Sequence, residues 1–223
     1  MLVRRKHHRP SKLAKKRRKI LLFKIGGIVF VVALLVTGLI FALRAERINI
    51  VDIEIKGNSA IAAKTLKNFA EREISGNYLF VLPKSSIILY PKKGMEEAFL
   101  ENFKEIKEVN ISFESLQSIS VNIQERKPYA LYCSATTTDC YFLDEDGFIF
   151  TKAPDFSGNV FLRYFGAIED GSIIGQQFLT KENFREINFF LSSLLEIGLN
   201  PISFSMLNDD DNERIDIWLE LTS

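Results

Sequence analysis

Apolar and polar positions change their period several times along the chain, and each change marks an element. Residues Ile25 to Leu43, IGGIVFVVALLVTGLIFAL, carry no charge and only Thr37 as a polar side chain. At about 1.5 Å per residue a helix of this length spans about 28 Å, close to the roughly 30 Å hydrocarbon core of a bilayer. The segment predicts a transmembrane helix. A cleaved signal sequence would have a shorter apolar centre and an A-x-A-like site. Here FALRAER follows, with Ala42 and Ala45 wrongly spaced, so the anchor is expected to stay attached.

Beyond the anchor the period drops to two. Val51, Ile53 and Ile55 alternate with Asp52, Glu54 and Lys56, which predicts a strand. Ile48 and Ile50 belong to the opposite phase and put the strand start or a bulge near Val51. Gly57-Asn58 ends this strand, and Ser59 is a candidate N-cap for a helix over AIAAKTLKNFAEREI. Ala62, Leu66, Phe69, Ala70 and Ile74 form its apolar face. Tyr78 to Lys93 mixes the apolar runs YLFVL and SSIILY with Pro83 and Pro91 and predicts no long element. A second helix is expected over Met95 to Phe103. Two alternating strands follow, on Val109, Ile111 and Phe113 and on Ile119, Val121 and Ile123, joined through ESLQS.

After the charged break Glu125-Arg126-Lys127-Pro128 the pattern becomes mainly β. Tyr129 to Cys133, Cys140 to Leu143 and Phe148 to Phe150 read as short strands, with Asp146-Gly147 as a tight-turn signal. Asn159 to Phe165 is a further apolar run. Thr180 caps a predicted helix whose Phe184, Ile187, Leu191 and Leu194 share a face, stopped by Gly198 and Pro201. IDIWLEL closes the chain as a strand. The fold class expected is therefore α+β: one transmembrane helix, a β-α-α-β-β segment, then a mainly antiparallel β region with one helix.

Charge sharpens this picture. Residues Met1 to Lys24 hold eleven Lys and Arg and no acid; eighteen bases against 28 acids remain, so the chain from Ile25 onward has a formal charge of −10. By the positive-inside rule the basic flank is cytoplasmic and residues 44 to 223 face outward. A basic tail beside a membrane is explained by topology and by contact with anionic lipids, and no nucleic acid is expected.

Several chemistries are missing. His7 and His8 are the only histidines and lie in the tail, so the outer part has no Ser-His-Asp or Cys-His nucleophile and lacks the commonest neutral metal ligand. Neither Gly-rich phosphate-loop spacing occurs. No enzyme activity, cofactor, metal site or small-molecule substrate is expected. The acidic runs Asp144-Glu145-Asp146 and Asp209-Asp210-Asp211 read as solvated turns rather than calcium loops or acid/base pairs. Cys133 and Cys140 enclose six residues of a hairpin; they fit a structural disulfide outside the membrane, two free thiols being the other reading. Trp218 falls with Asp216 and Glu220 on the polar face of the last strand. It is either an interface anchor, as Trp often is, or a side chain covered by a neighbouring element.

The order of these features resembles the FtsQ/DivIB family of bacterial cell-division proteins. The resemblance is carried by the basic tail, the single anchor, IEIKGNSAI at Ile53 to Ile61, SGNYLF at Ser75 to Phe80, VNIQERKPYA at Val121 to Ala130 and YFLDEDGFIF at Tyr141 to Phe150. It covers about residues 1 to 165. It implies a cytoplasmic tail at 1–24, an anchor at 25–43, a POTRA domain within 44–126 and the family's β domain over 127–223. It also implies a non-enzymatic scaffold at the division septum that binds FtsB/DivIC-like and FtsL-like membrane proteins. A POTRA-bearing translocation or secretion accessory protein is the alternative function. Two features depart from the family: ESLQS lacks a Pro, and IDIWLELTS stops where further strands are usual, so either the sequence is a fragment truncated after Ser223 or its β domain is shortened.

On this architecture Pro128 ends the last POTRA-like strand, because it cannot donate to a central ladder. Glu125, Arg126, Lys127 and Pro128 then form a seam. The simplest reading of its three charges is solvent exposure. The other is a salt bridge or partner contact that fixes the geometry there.

Overall fold

The computed structural model describes residues 12–78, 82–134, 139–168, 171–209 and 214–222. The tail residues 1–11 with His7 and His8, the apolar Leu79 to Val81, the hairpin residues Ala135 to Thr138, and Asp210-Asp211 of the second acidic run lie outside them. Among the described residues there are four α-helices together with small sheets, an α+β arrangement. Contacts divide the chain into two compact units. The smaller is Met1–Asp52, Glu71–Pro91 and Phe113–Ile119; the larger is Ile53–Ala70, Lys92–Ser112 and Ser120–Ser223.

Helix α1 runs from Lys12 to Leu43. The basic tail and the apolar run, expected as separate segments, are thus one helix from Lys12 onward. Lys, Arg, Ala and Leu are all strong helix formers, so nothing in KLAKKRRKILLF interrupts it. From Lys16 to Leu43 the helix is long and apolar enough to cross a membrane, and its apolar side chains, Phe30 and Phe41 among them, are exposed.

A short 3-10 turn, Glu46–Ile48, leads to β1, Asp52–Lys56. Helix α2 is Ala63–Glu73, the short strands β2 and β3 are Asn77–Tyr78 and Leu82–Pro83, and α3 is Lys92–Asn102. Ser59 is not the cap of α2. Its backbone N–H, with those of Ala60 and Ile61, is held by a side chain from a distant strand, so these residues form a turn and the helix begins only at Ala63. Leu66, Phe69 and Ala70 of α2 and Met95 and Phe99 of α3 are buried, and the Phe69 and Phe99 rings meet edge-on at 4.9 Å.

Strands β4, Ile106–Ser115, and β5, Ser118–Glu125, are separated by Leu116-Gln117, a link that only an antiparallel hairpin can close. With β1 they form a three-stranded sheet in the order β1-β5-β4. Gly57, just after β1, has φ +83°, and a Cβ there would lie 2.1 Å from the backbone oxygen of Ile123. This close approach explains the glycine.

The remaining strands are β6 Ala130–Cys133, β7 Cys140–Leu143, β8 Ile149–Lys152, β9 Arg163–Phe165, β10 Asn200–Asp209 and β11 Arg214–Thr222, with α4, Lys181–Glu196, before β10. They form one sheet in the order β11-β10-β9-β6-β7-β8. The pairs β6/β7, β7/β8 and β10/β11 are antiparallel, whereas β9 runs parallel to both β6 and β10. The sheet is therefore mixed at its centre.

Every residue of β6 is buried, since both faces of this strand are covered. Ala130 and Tyr132 join Leu143, Tyr164, Phe184, Leu191 and Phe204 beneath α4. Leu131 and Cys133 belong to a second cluster with Phe142, Phe156 and Phe161 on the other face. Thr180 caps α4 as its spacing predicts, its side chain accepting from the N–H of Asn183. Strand β10 is absent from the sequence expectation, which placed a stop at Gly198 and Pro201.

Candidate functional site

The break after β5 is a fixed joint inside the larger unit. Glu125 ends the strand with its carboxylate turned back on the Gly57–Ile61 turn, where Oε1 accepts from the N–H groups of Ser59 at 2.9 Å and Ile61 at 3.1 Å, and Oε2 from Ala60 at 2.7 Å. Burial raises the pKa of this carboxyl, but the three backbone donors outweigh it and leave the pKa below the ordinary value of 4.5.

Arg126 is held from four directions. Its N–H donates to the carbonyl of Glu105 at 2.7 Å, Nε donates to that of Lys104 at 3.1 Å, and Nη1 bonds Asp144 Oδ2. The guanidinium also lies 4.0 Å from the centre of the Phe148 ring, within cation–π range. The solvent-facing reading thus fails for Arg126, whose side chain is only 14% exposed, and for Glu125; it holds for Lys127, which with Pro128 is exposed between β5 and β6.

The solvated reading of the acidic turn fails for its two aspartates, while Glu145 between them is exposed. Asp144 is 2% exposed and accepts from the N–H groups of Asp146 and Phe148, each at 2.9 Å, through Oδ1. One oxygen caps the β7–β8 turn while the other receives Arg126. Gly147 has φ +78°, and a Cβ on it would meet the Phe184 ring at 2.7 Å. The left-handed glycine closes the turn after Glu145-Asp146, and the β7–β8 register shifts between Phe142 and Leu143.

Asp146 is also buried and gathers cations. Arg185 Nη2 from α4 lies at 2.5 Å and Lys107 Nζ from β4 at 3.3 Å, with Lys181 at 3.8 Å; its carbonyl accepts from Gln177. Burial raises the Asp146 pKa, and the bonds from Arg185 and Lys107 outweigh it, so the pKa falls below the usual 3.8. Lys107 is raised, chiefly by its 2.7 Å bond to Glu145. A cleft of 330 Å³ opens here, lined by Lys107, Gln124, Glu125, Lys127, Pro128, Tyr129, Asp144 and Glu145. Bonds between Arg126, Asp144, Asp146, Lys107 and Arg185 clamp the end of β5 and strand β4 to the β7–β8 turn and α4. Among the described residues there is no cluster of metal-ligating side chains.

Cys133 and Cys140 face one another across β6 and β7 and are joined by a disulfide. Trp218 is 63% exposed, so the reading in which a neighbour covers it is corrected. It stands opposite Ser205 in β11, the outer strand of the sheet. Beside it Ile217 is exposed too and borders a cleft of 350 Å³ lined by Phe190 and Ile187 of α4 and Met206 of β10. The structure places Trp218 on β11 and the joint between β5 and β6, and the sequence gives no sign of the long-range partners Ser59–Ile61, Lys107 and Arg185. Asp at the first position of a turn is the one local signal that could have revealed the capping role of Asp144.

Comparison of the chain with protein-family models and with curated proteins returns no match.

Proposed function

We propose that the chain is a membrane-anchored, non-enzymatic scaffold of the FtsQ/DivIB type, which holds other division proteins at the septum and so helps control septal peptidoglycan synthesis. In this reading α1 crosses the cytoplasmic membrane with its basic end inside, touching anionic lipids. Residues 44–126 are the POTRA-like domain and residues 127–223 the β domain. FtsB/DivIC-like and FtsL-like membrane proteins are its partners.

The observation that carries the reading is one of continuity. A membrane-length helix leads into a β-α-α-β-β layer whose first strand lies beside its last, and a clamped joint then leads into a sheet ending in β11. Among the described residues β11 pairs on one side only, with β10. A strand in that position offers main-chain donors and acceptors to an incoming strand, and binding of this kind needs no side-chain motif. Exposed Ile217 and Trp218 would supply apolar contact around such a strand.

A photo-crosslinking amino acid at Trp218 tests this in dividing cells. The expected adduct contains a small single-pass division protein. Adducts only with translocation or outer-membrane assembly components would overturn the assignment.

A further inference from the structure

The smaller compact unit gathers a set of exposed apolar side chains around the chain that leaves α1. Val51, Ile88, Phe113 and Leu116 are 74%, 67%, 61% and 60% exposed. They are not scattered. The N–H groups of Val51 and Asp52 both donate to the carbonyl of Gln117, which places Val51 against the Leu116-Gln117 turn of the β4–β5 hairpin, and Phe113 stands on the same hairpin. On the neighbouring residues, Ile50 donates to Ser85 and Ile87 donates to Ile48, each at 2.8 Å, so Ile88 is tied to the same stem.

The stem leaves no slack between this apolar group and α1. Five residues separate Leu43 from Ile48 inclusive of the latter, and three of them, Glu46–Ile48, form a 3-10 turn. At about 2 Å rise per 3-10 residue and about 3.6 Å for each extended one, Ile48 lies within about 13 Å of the end of α1. α1 also packs against β3 of the same unit. If the apolar run spans the hydrocarbon core, Leu43 is at its outer edge, and the headgroup layer beyond it is about 5–8 Å deep.

We infer that Val51, Ile88, Phe113 and Leu116 form an interfacial foot that dips into the outer headgroup layer of the bilayer crossed by α1. The occupant of this apolar surface is lipid. The contact is apolar in origin. Beyond Leu43 the unit carries four bases, Arg44, Arg47, Arg72 and Lys84, against five acids, Glu46, Asp52, Glu71, Glu73 and Glu114, so no excess of base on this side of α1 favours anionic headgroups. Seating the foot holds the smaller unit against the membrane. The inference rests on the anchor part of the function proposed above.

The test uses the full chain reconstituted in vesicles of neutral phosphatidylcholine and in vesicles containing phosphatidylglycerol. An environment-sensitive fluorophore is attached singly through Leu116→Cys, Ile88→Cys or, within the helix, Val31→Cys. The paired Cys133 and Cys140 do not react, and Ile88 and Leu116 are exposed, so labelling leaves the fold intact. The probes at Leu116 and Ile88 are expected to shift to the blue and to be quenched about two-fold or more by lipids carrying a headgroup-level nitroxide, equally in both vesicles and at high salt, as for an apolar interfacial contact. A Val31 probe quenched by lipids carrying a mid-chain nitroxide, with Leu116 and Ile88 probes that report water, overturns the foot and leaves the anchor standing. Quenching confined to anionic vesicles at low salt overturns the apolar contact. A Val31 probe that reports water removes the anchor and the foot together.

Discussion

Arg126 and Asp144 are bonded to one another with almost no access to water: the arginine side chain is 14% exposed and the aspartate 2%. The pair joins the end of β5 to the turn between β7 and β8. Removing one partner of a buried pair leaves an uncompensated charge, a loss of about 3–5 kcal/mol. Arg126→Ala is therefore expected to destabilise the larger unit by about that amount in denaturant unfolding. Adding Asp144→Asn should recover a part of the loss, because asparagine still caps the turn but carries no charge. Equal stability of R126A and the wild type would refute the clamp.

Glu125 makes a different prediction. Its carboxylate satisfies three backbone N–H groups, so Glu125→Ala leaves them without their acceptor and should cost about 1–2 kcal/mol. The pKa values of Glu125 and Asp146 are both depressed in the folded protein, below 4.5 and 3.8 respectively. A depressed carboxyl stabilises the fold fully above its unfolded pKa and loses that contribution as pH falls through the folded value. Stability should thus be level above about pH 5.5 in these terms and decline below pH 4.5. In E125A the decline should be shallower, which pH-dependent unfolding would reveal.

Two glycines distinguish kinds of crowding. At Gly57 a Cβ would strike a backbone oxygen, Ile123 O, at 2.1 Å; at Gly147 it would meet the Phe184 ring, a side chain with some freedom, at 2.7 Å. Both positions also have φ above +70°. Each alanine substitution should cost more than the roughly 1 kcal/mol of positive φ alone, and G57A should cost more than G147A. Thermal unfolding of the two variants gives the order directly.

The Cys133–Cys140 disulfide closes a loop with a sequence separation of 7. Loop-closure entropy for so short a ring gives a stabilisation of about 2.5 kcal/mol. Replacing both cysteines by serine should lower stability by about that much while leaving β6 and β7 paired. Mass spectrometry after alkylation without reductant checks the bond itself, and labelling of both thiols in native protein would contradict it.

Local elements were legible in the sequence where one residue or one period decided them. Cys140 to Leu143 reads as β7, and Thr180 with Phe184 and Leu191 reads as the start and inner face of α4. The period failed at β10. Ile202, Phe204 and Met206 alternate as a strand should, but Gly198 and Pro201 look like a stop; Pro201 is tolerated because the β10–β11 register shifts between Pro201 and Ser203. The joint was visible as a charged break but not as a clamp. Glu125 finds its partners 64 to 66 residues back in the chain and Arg126 finds Asp144 18 residues ahead, distances that no helical or strand period encodes. Apolar positions report burial against a core; a paired charge carries the same letter whether buried or solvated.

For the proposed scaffold of the division septum, the most direct measurement is where the protein resides in dividing cells. A fluorescent protein fused to its N-terminus, on the basic side of α1, is predicted to form a band at midcell that appears with constriction. A uniform membrane signal throughout the division cycle would contradict the account.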